Sequence, residues 1–204
     1  MKMNKNILMI AGIAAGILYL ITDLVGGLIT PDYSYIRNAV SELIQSGAKH
    51  RLALSPFMFL HATMIAIFGI GLMRQFPFQA NKLVFIAGVL LLIVGICHAL
   101  SSSIFPMDPV GAPATFAGTM HLVLVGITVL AIFVMMPLAA IGLKNTVDWS
   151  FFQAFTFICL AFITIAGFAS PIIISKEIPL MGLTERITGY VFYVWLAVMG
   201  VLIT

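Results

Sequence analysis

The chain has 204 residues, 62% of them hydrophobic and 8% charged, with a formal charge of +3. A mean hydropathy of +1.15 leaves too little polar surface to clothe a domain in water, which excludes an ordinary soluble fold. Lys and Arg are scattered with no basic run of the kind that tracks nucleic acid, so the partner implied is the lipid bilayer.

The apolar residues fall in runs of about 20, the number an α-helix needs to cross roughly 30 Å of hydrocarbon. They predict an all-α, multi-pass membrane protein: one domain over residues 1–204, built as a bundle of about six transmembrane helices. The first run, Ile7 to Ile29, follows Lys2 and Lys5 as a secretory leader would, but it is too long and has no small-residue cleavage site before Asp23. It is read as a membrane helix. Asp23 shares a face with Gly12, Gly16, Gly26 and Gly27, small residues that mark an interior surface. The connection from Pro31 to Ala53 sets Ile36, Val40, Leu43 and Ile44 at helical spacing, with Arg37, Ser41 and Glu42 on the other arc. That pattern predicts an amphipathic interfacial segment over about 35–45.

The second run, Leu54 to Met73, holds His61, and the third, Leu83 to Ile104, holds His98 between Gly95 and the Ser101-Ser102 pair. A Pro106 to Pro113 turn carries Asp108. The fourth run, Phe116 to Ala139, places His121 one turn after Gly118; the fifth spans Phe151 to Ile173 and the sixth Ile187 to Ile203. Glu185 and Arg186, just before the sixth, are read as a surface ion pair or a helix-terminal acid, the alternative being a lipid-phosphate site. Cys97 and Cys159, deep in apolar runs, are small core residues.

The loop Lys and Arg residues divide evenly between the two faces, so they leave orientation open. The cationic N-terminal tail and the acid-poor loops bearing Arg74, Lys82 and Lys144 favour a cytoplasmic N-terminus in the cell membrane. Asp23, His61, His98 and His121 then lie about 7 to 11 Å in from one, outer, end of four different helices. Ionisable groups at such depth are costly unless they are paired or face water.

Three imidazoles and a carboxylate suit zinc, which with three protein ligands and an open position activates water for attack on an ester or amide. The expected site has His98, His121 and either His61 or Asp23 on the metal. Ser41, Glu42 and Asp108 line the mouth, with Glu42 or Asp108 as base, and Ser101, Ser102, Glu185 and Arg186 contact a lipid or lipid-linked substrate. The competing readings are interhelical hydrogen bonding alone, a non-enzymatic lipid-binding scaffold, and a small transporter using Asp23 and the histidines as a proton relay. Axial ligation of a haem by His98 and His121 is a lesser alternative, because the inner half of the bundle offers no second pair. No internal repeat of the kind transporters carry is visible. The sequence leaves the oligomeric state open.

Three segments carry a family resemblance: Asn38-Ala39-Val40-Ser41-Glu42-Leu43 followed by Gly47, Ile104-Phe105-Pro106-Met107-Asp108-Pro109 leading to Gly118 and His121, and Gly182-Leu183-Thr184-Glu185-Arg186-Ile187. Together they resemble a bacterial and archaeal family of polytopic membrane proteins, domain of unknown function nine-nine-eight. The resemblance implies the fold and draws attention to Ser41, Glu42, Asp108, His121, Glu185 and Arg186. The Ser-Glu-Leu segment is also similar to the first loop of the Frag1 and DRAM membrane proteins. The intramembrane His, Asp and Ser set is similar in kind to that of the ceramidase and adiponectin-receptor hydrolases, but their His-x-x-x-His pair is absent here.

Overall fold

The computed structural model describes residues 6–145 and 148–204. Lys2 and Lys5, which bear on orientation, lie outside them. Among the described residues the chain forms six α-helices and no strand: α1 Asn6–Ile29, α2 Arg51–Gln75, α3 Lys82–Ser103, α4 Phe116–Gly142, α5 Trp149–Ser175 and α6 Met181–Leu202, with a short 3-10 helix at Val40–Ile44. Each α-helix is long and apolar enough to cross a bilayer, which makes this a multi-pass membrane protein.

Side chains that accept from the first turn start three of these helices. Asn81 takes the Val84 N–H at 3.2 Å, Thr115 the Gly118 N–H at 3.1 Å and Asp148 the Phe151 N–H at 3.3 Å. Each helix packs on its sequence neighbour and α6 closes on α1, so the bundle is a ring. The seam between α4 and α5 is the thinnest. Small residues set the tightest approach, between α2 and α3: a Cβ added at Gly69 would sit 2.6 Å from the Gly88 carbonyl, and one at Gly95 2.8 Å from the Ala66 nitrogen. Beneath the polar end the ring is filled by Phe68, Leu72, Leu91, Met135, Phe192 and Trp195, all essentially inaccessible. Both cysteines are buried and free.

Alternation of helix direction brings the segments 30–50, 104–115 and 176–180 to one end. There the amphipathic segment expected over 35–45 is reduced to the 3-10 helix, which packs on α1, α2 and α6. Val40, Leu43 and Ile44 are buried as the pattern requires, whereas Ile36 is left exposed. The shortening has a local cause. Glu42 folds back to accept the Ala39 N–H and the Asn38 amide, both at 2.8 Å, which closes a turn before a longer helix can form.

The sixth helix starts at Met181, one and a half turns earlier than hydropathy indicates. The first loop caps it: Gly182 N–H donates to the Arg37 carbonyl at 3.2 Å and Leu183 N–H to the Ile36 carbonyl at 3.0 Å. Glu185 and Arg186 are therefore helical residues inside the bundle.

Candidate functional site

Two polar clusters occupy the loop-rich end, on either side of Tyr19. The first centres on Arg186. Its Nε donates to Asp23 Oδ2 at 2.9 Å and its Nη2 to Asp23 Oδ1 at 2.6 Å, a two-pronged ion pair between α6 and α1. Nη2 also donates to the Tyr33 hydroxyl at 2.7 Å. Nη1 serves the carbonyls of Asn38 at 2.8 Å, Gly182 at 3.0 Å and Tyr35. A guanidinium has five N–H groups, and here each has an acceptor.

The partners are satisfied in turn. Tyr190 donates its hydroxyl to Asp23 Oδ2, and Tyr33 passes its own proton to the Ala39 carbonyl at 2.9 Å. Burial pushes the Tyr33 phenol above the ordinary tyrosine range, with Arg186 pulling the other way. Gly182 is required at its position, because a Cβ there would collide with the Asn38 carbonyl and stand 2.7 Å from both Arg186 Nη1 and the Tyr35 carbonyl.

The second cluster lines a cavity of about 170 Å³ walled by α1, α3, α4 and α6 and roofed by the 3-10 helix. Its polar end holds His98, His121, Ser101, Ser102, Ser41 and Glu185. Below lie Val125, Val129, Ile132 and Phe192. His61 supports the cavity from behind. Its Nδ1 is 2.8 Å from the Ala15 carbonyl and its Nε2 3.2 Å from His98 Nδ1, while the rings of Tyr19 and Tyr193 enclose it. His121 Nδ1 donates to the Phe105 carbonyl at 3.0 Å. Glu185 accepts from the Ser41 N–H at 3.2 Å and the Ser41 hydroxyl at 3.3 Å, which ties the roof to α6. Thr128 Oγ1, facing the same cavity from α4, is buried without a hydrogen-bond partner.

A family model described as protein of unknown function (DUF998) matches residues 13–202, nearly the whole bundle and both clusters. The chain belongs to this family. Neither a curated protein nor a solved structure matches it. What the site of this DUF998 member does must therefore be read from its own geometry.

The structure brings His98 and His121 to one cavity, together with Ser41, Ser101, Ser102 and Glu185, with His61 behind His98. It does not bring Asp23 there, because the Arg186 guanidinium takes both of its oxygens. The expected zinc set is not assembled. Both nitrogens of His61 are engaged, by the Ala15 carbonyl and by His98, and among the described residues no group of three or more His, Cys, Asp or Glu is placed to hold a metal ion.

Glu42 and Asp108, the expected bases, build turns outside the cavity lining. Asp108 accepts the Thr115 N–H at 2.8 Å and the Thr115 hydroxyl at 2.7 Å, and those two bonds, the backbone one foremost, hold its carboxyl below the usual carboxylate range. Arg186, read as an ion pair with Glu185 or a headgroup contact, is committed to Asp23.

Tyr19, Tyr33, Tyr190, Thr128, Thr188 and Tyr193 escaped sequence reasoning. A signal existed on the sixth helix, where Glu185, Thr188, Gly189 and Phe192 recur at helical spacing and line one cavity wall. Starting that helix at Ile187 cut the pattern in two. Tyr19 precedes Asp23 by one turn on the same face, a spacing that was equally available.

Proposed function

We propose that this DUF998 protein binds an amphipathic, lipid-like molecule, holding its head among His98, His121, Ser41 and Glu185 and its tail along Val125, Val129 and Ile132. The observation that carries the reading is the division of one cavity, at membrane depth, into a polar end and an apolar end. Hydroxyls and imidazoles lining a cavity inside the bundle are costly to keep without something to hydrogen-bond. Val125 lines the cavity yet keeps 43% of its surface exposed, which suits entry from the bilayer on the α4 side, beside the thin α4–α5 seam.

Binding is favoured over hydrolysis by the hydroxyl geometry. Ser101 donates to the His98 carbonyl at 3.1 Å and Ser102 to the Ala99 carbonyl at 3.2 Å, so neither hydroxyl is hydrogen-bonded to an imidazole that would activate it. The reading includes placement in the cell membrane with the site-bearing end outward, supported by the Arg74, Lys82 and Lys144 loops at the other end.

The test is extraction and mass spectrometry of molecules that co-purify with the intact protein. Wild type retains a lipid-like species in near one-to-one amount, and Val129→Trp, which fills the apolar end, loses it while remaining folded. Equal content in both proteins, or none in wild type, overturns the reading.

A further inference from the structure

Hydrogen-bond partners fix where the protons around this cavity point. A backbone carbonyl has no proton to give, so any imidazole nitrogen or hydroxyl bonded to one must be the donor. His61 therefore carries its proton on Nδ1, facing the Ala15 carbonyl. Its neutral Nε2 is then an acceptor, and the proton between the two rings belongs to His98 Nδ1. That leaves His98 Nε2 as a bare lone pair. His121 reaches the same state independently, since its Nδ1 proton is on the Phe105 carbonyl and its Nε2 is the nitrogen left for the cavity.

The hydroxyls repeat the pattern. Ser101 and Ser102 give their protons to α3 carbonyls, and Thr188 gives its own to the Thr184 carbonyl at 2.9 Å. Ser41 directs its hydroxyl proton to Glu185 at 3.3 Å or to Met107 Sδ at 3.5 Å, and Glu185 also accepts the Ser41 N–H. Three hydroxyls, on Tyr19, Tyr193 and Thr128, remain able to turn either way. Among the described residues no Lys or Arg lines the cavity, and the Arg186 guanidinium has all five protons placed elsewhere.

We infer that the head group recognised here is a hydrogen-bond donor, a primary ammonium in its best form, because the lining presents lone pairs and one carboxylate and has turned most of its own protons away. The inference rests on the amphiphile-binding reading and names its chemistry. An anionic head such as a phosphate would find few donors in that lining, whereas an ammonium finds acceptors on His98, His121 and Glu185. The apolar floor assigns that ammonium to a chain-bearing molecule over a small free amine.

Native mass spectrometry of the full chain released from maltoside micelles tests this with dodecylamine, dodecyl phosphate and butylamine as probes. Dodecylamine is expected to bind about tenfold or more tighter than dodecyl phosphate, the margin of a charge-assisted hydrogen bond, and butylamine to bind far more weakly than dodecylamine. Glu185→Gln should lower dodecylamine affinity about tenfold and leave dodecyl phosphate no worse. The wild-type comparison decides even if that variant fails to fold. Dodecyl phosphate binding as tightly as dodecylamine would overturn the donor inference while leaving an amphiphile site. Butylamine matching dodecylamine would overturn the amphiphile reading and keep the donor preference, and no binding by any probe would end both.

Discussion

The two clusters at the loop-rich end are built from the same kinds of residue and lie on either side of Tyr19, yet their hydrogen bonding is opposite. Around Arg186 every guanidinium proton meets an oxygen, and both Asp23 oxygens are filled. Around the cavity, Nε2 of His98, Nε2 of His121 and several hydroxyl lone pairs meet no donor among the described residues. A saturated network holds a fold together, since in hydrocarbon each unmet group costs about 1 to 3 kcal/mol or more. An unsaturated one is maintained for something that comes and goes.

Cutting the saturated side should have the largest effect. Arg186→Met or Asp23→Leu each leaves a buried charge unpaired and should destabilise the protein by about 3 to 5 kcal/mol, read from unfolding in detergent. The double variant should lose much less than the sum, because neither charge is then orphaned. Simple additivity would deny that the pair acts as a unit. Gly182→Ala comes next, at about 1 to 3 kcal/mol, from the collision with the Asn38 carbonyl and the Arg186 guanidinium. An unchanged melting temperature there would show that the first loop does not need its close seat on α6.

On the unsaturated side, His121→Phe should cost about 1 kcal/mol or less in stability while abolishing ligand retention, since its single protein bond goes to the Phe105 carbonyl. Loss of stability comparable to Arg186→Met would collapse the distinction between the clusters.

The smallest effect belongs to Asp108, outside both. Its carboxyl is held below the usual carboxylate range by Thr115, so its contribution is fully present above the ordinary carboxylate pKa and is lost as pH falls through the lowered folded value. Asp108→Asn should flatten only that acid limb of a stability-versus-pH profile. A change near neutral pH would contradict the assignment.

Membrane class and six spans were legible because apolar length is a local property that no tertiary contact has to complete. That His61, His98 and His121 gather near one end of the bundle was legible for the same reason, as position along a helix follows from counting residues. Asp23 shows the limit. Its interior face was right, but its partner lies 163 residues away on α6, and nothing local distinguishes an aspartate that meets an arginine from one that meets an imidazole. The mistake propagated from the sixth helix. Charge at Glu185 and Arg186 made the stretch look like loop, because hydropathy counts a charge as exposed even where a bidentate partner waits for it. Glu42 and Asp108 were conspicuous for a different reason: acids that close turns beside prolines and cap short helices look, in sequence, like acids that do chemistry.

The opposition between the two clusters is tested most directly by nitrogen-15 NMR of the histidine side chains in the ligand-free protein near neutral pH. The account predicts the proton of each of His61, His98 and His121 on Nδ1, with Nε2 of His98 and His121 carrying none and Nε2 of His61 accepting from His98. A proton found on Nε2 of His98 or His121 would contradict it, for the cavity would then offer a donor where it is held to offer a lone pair.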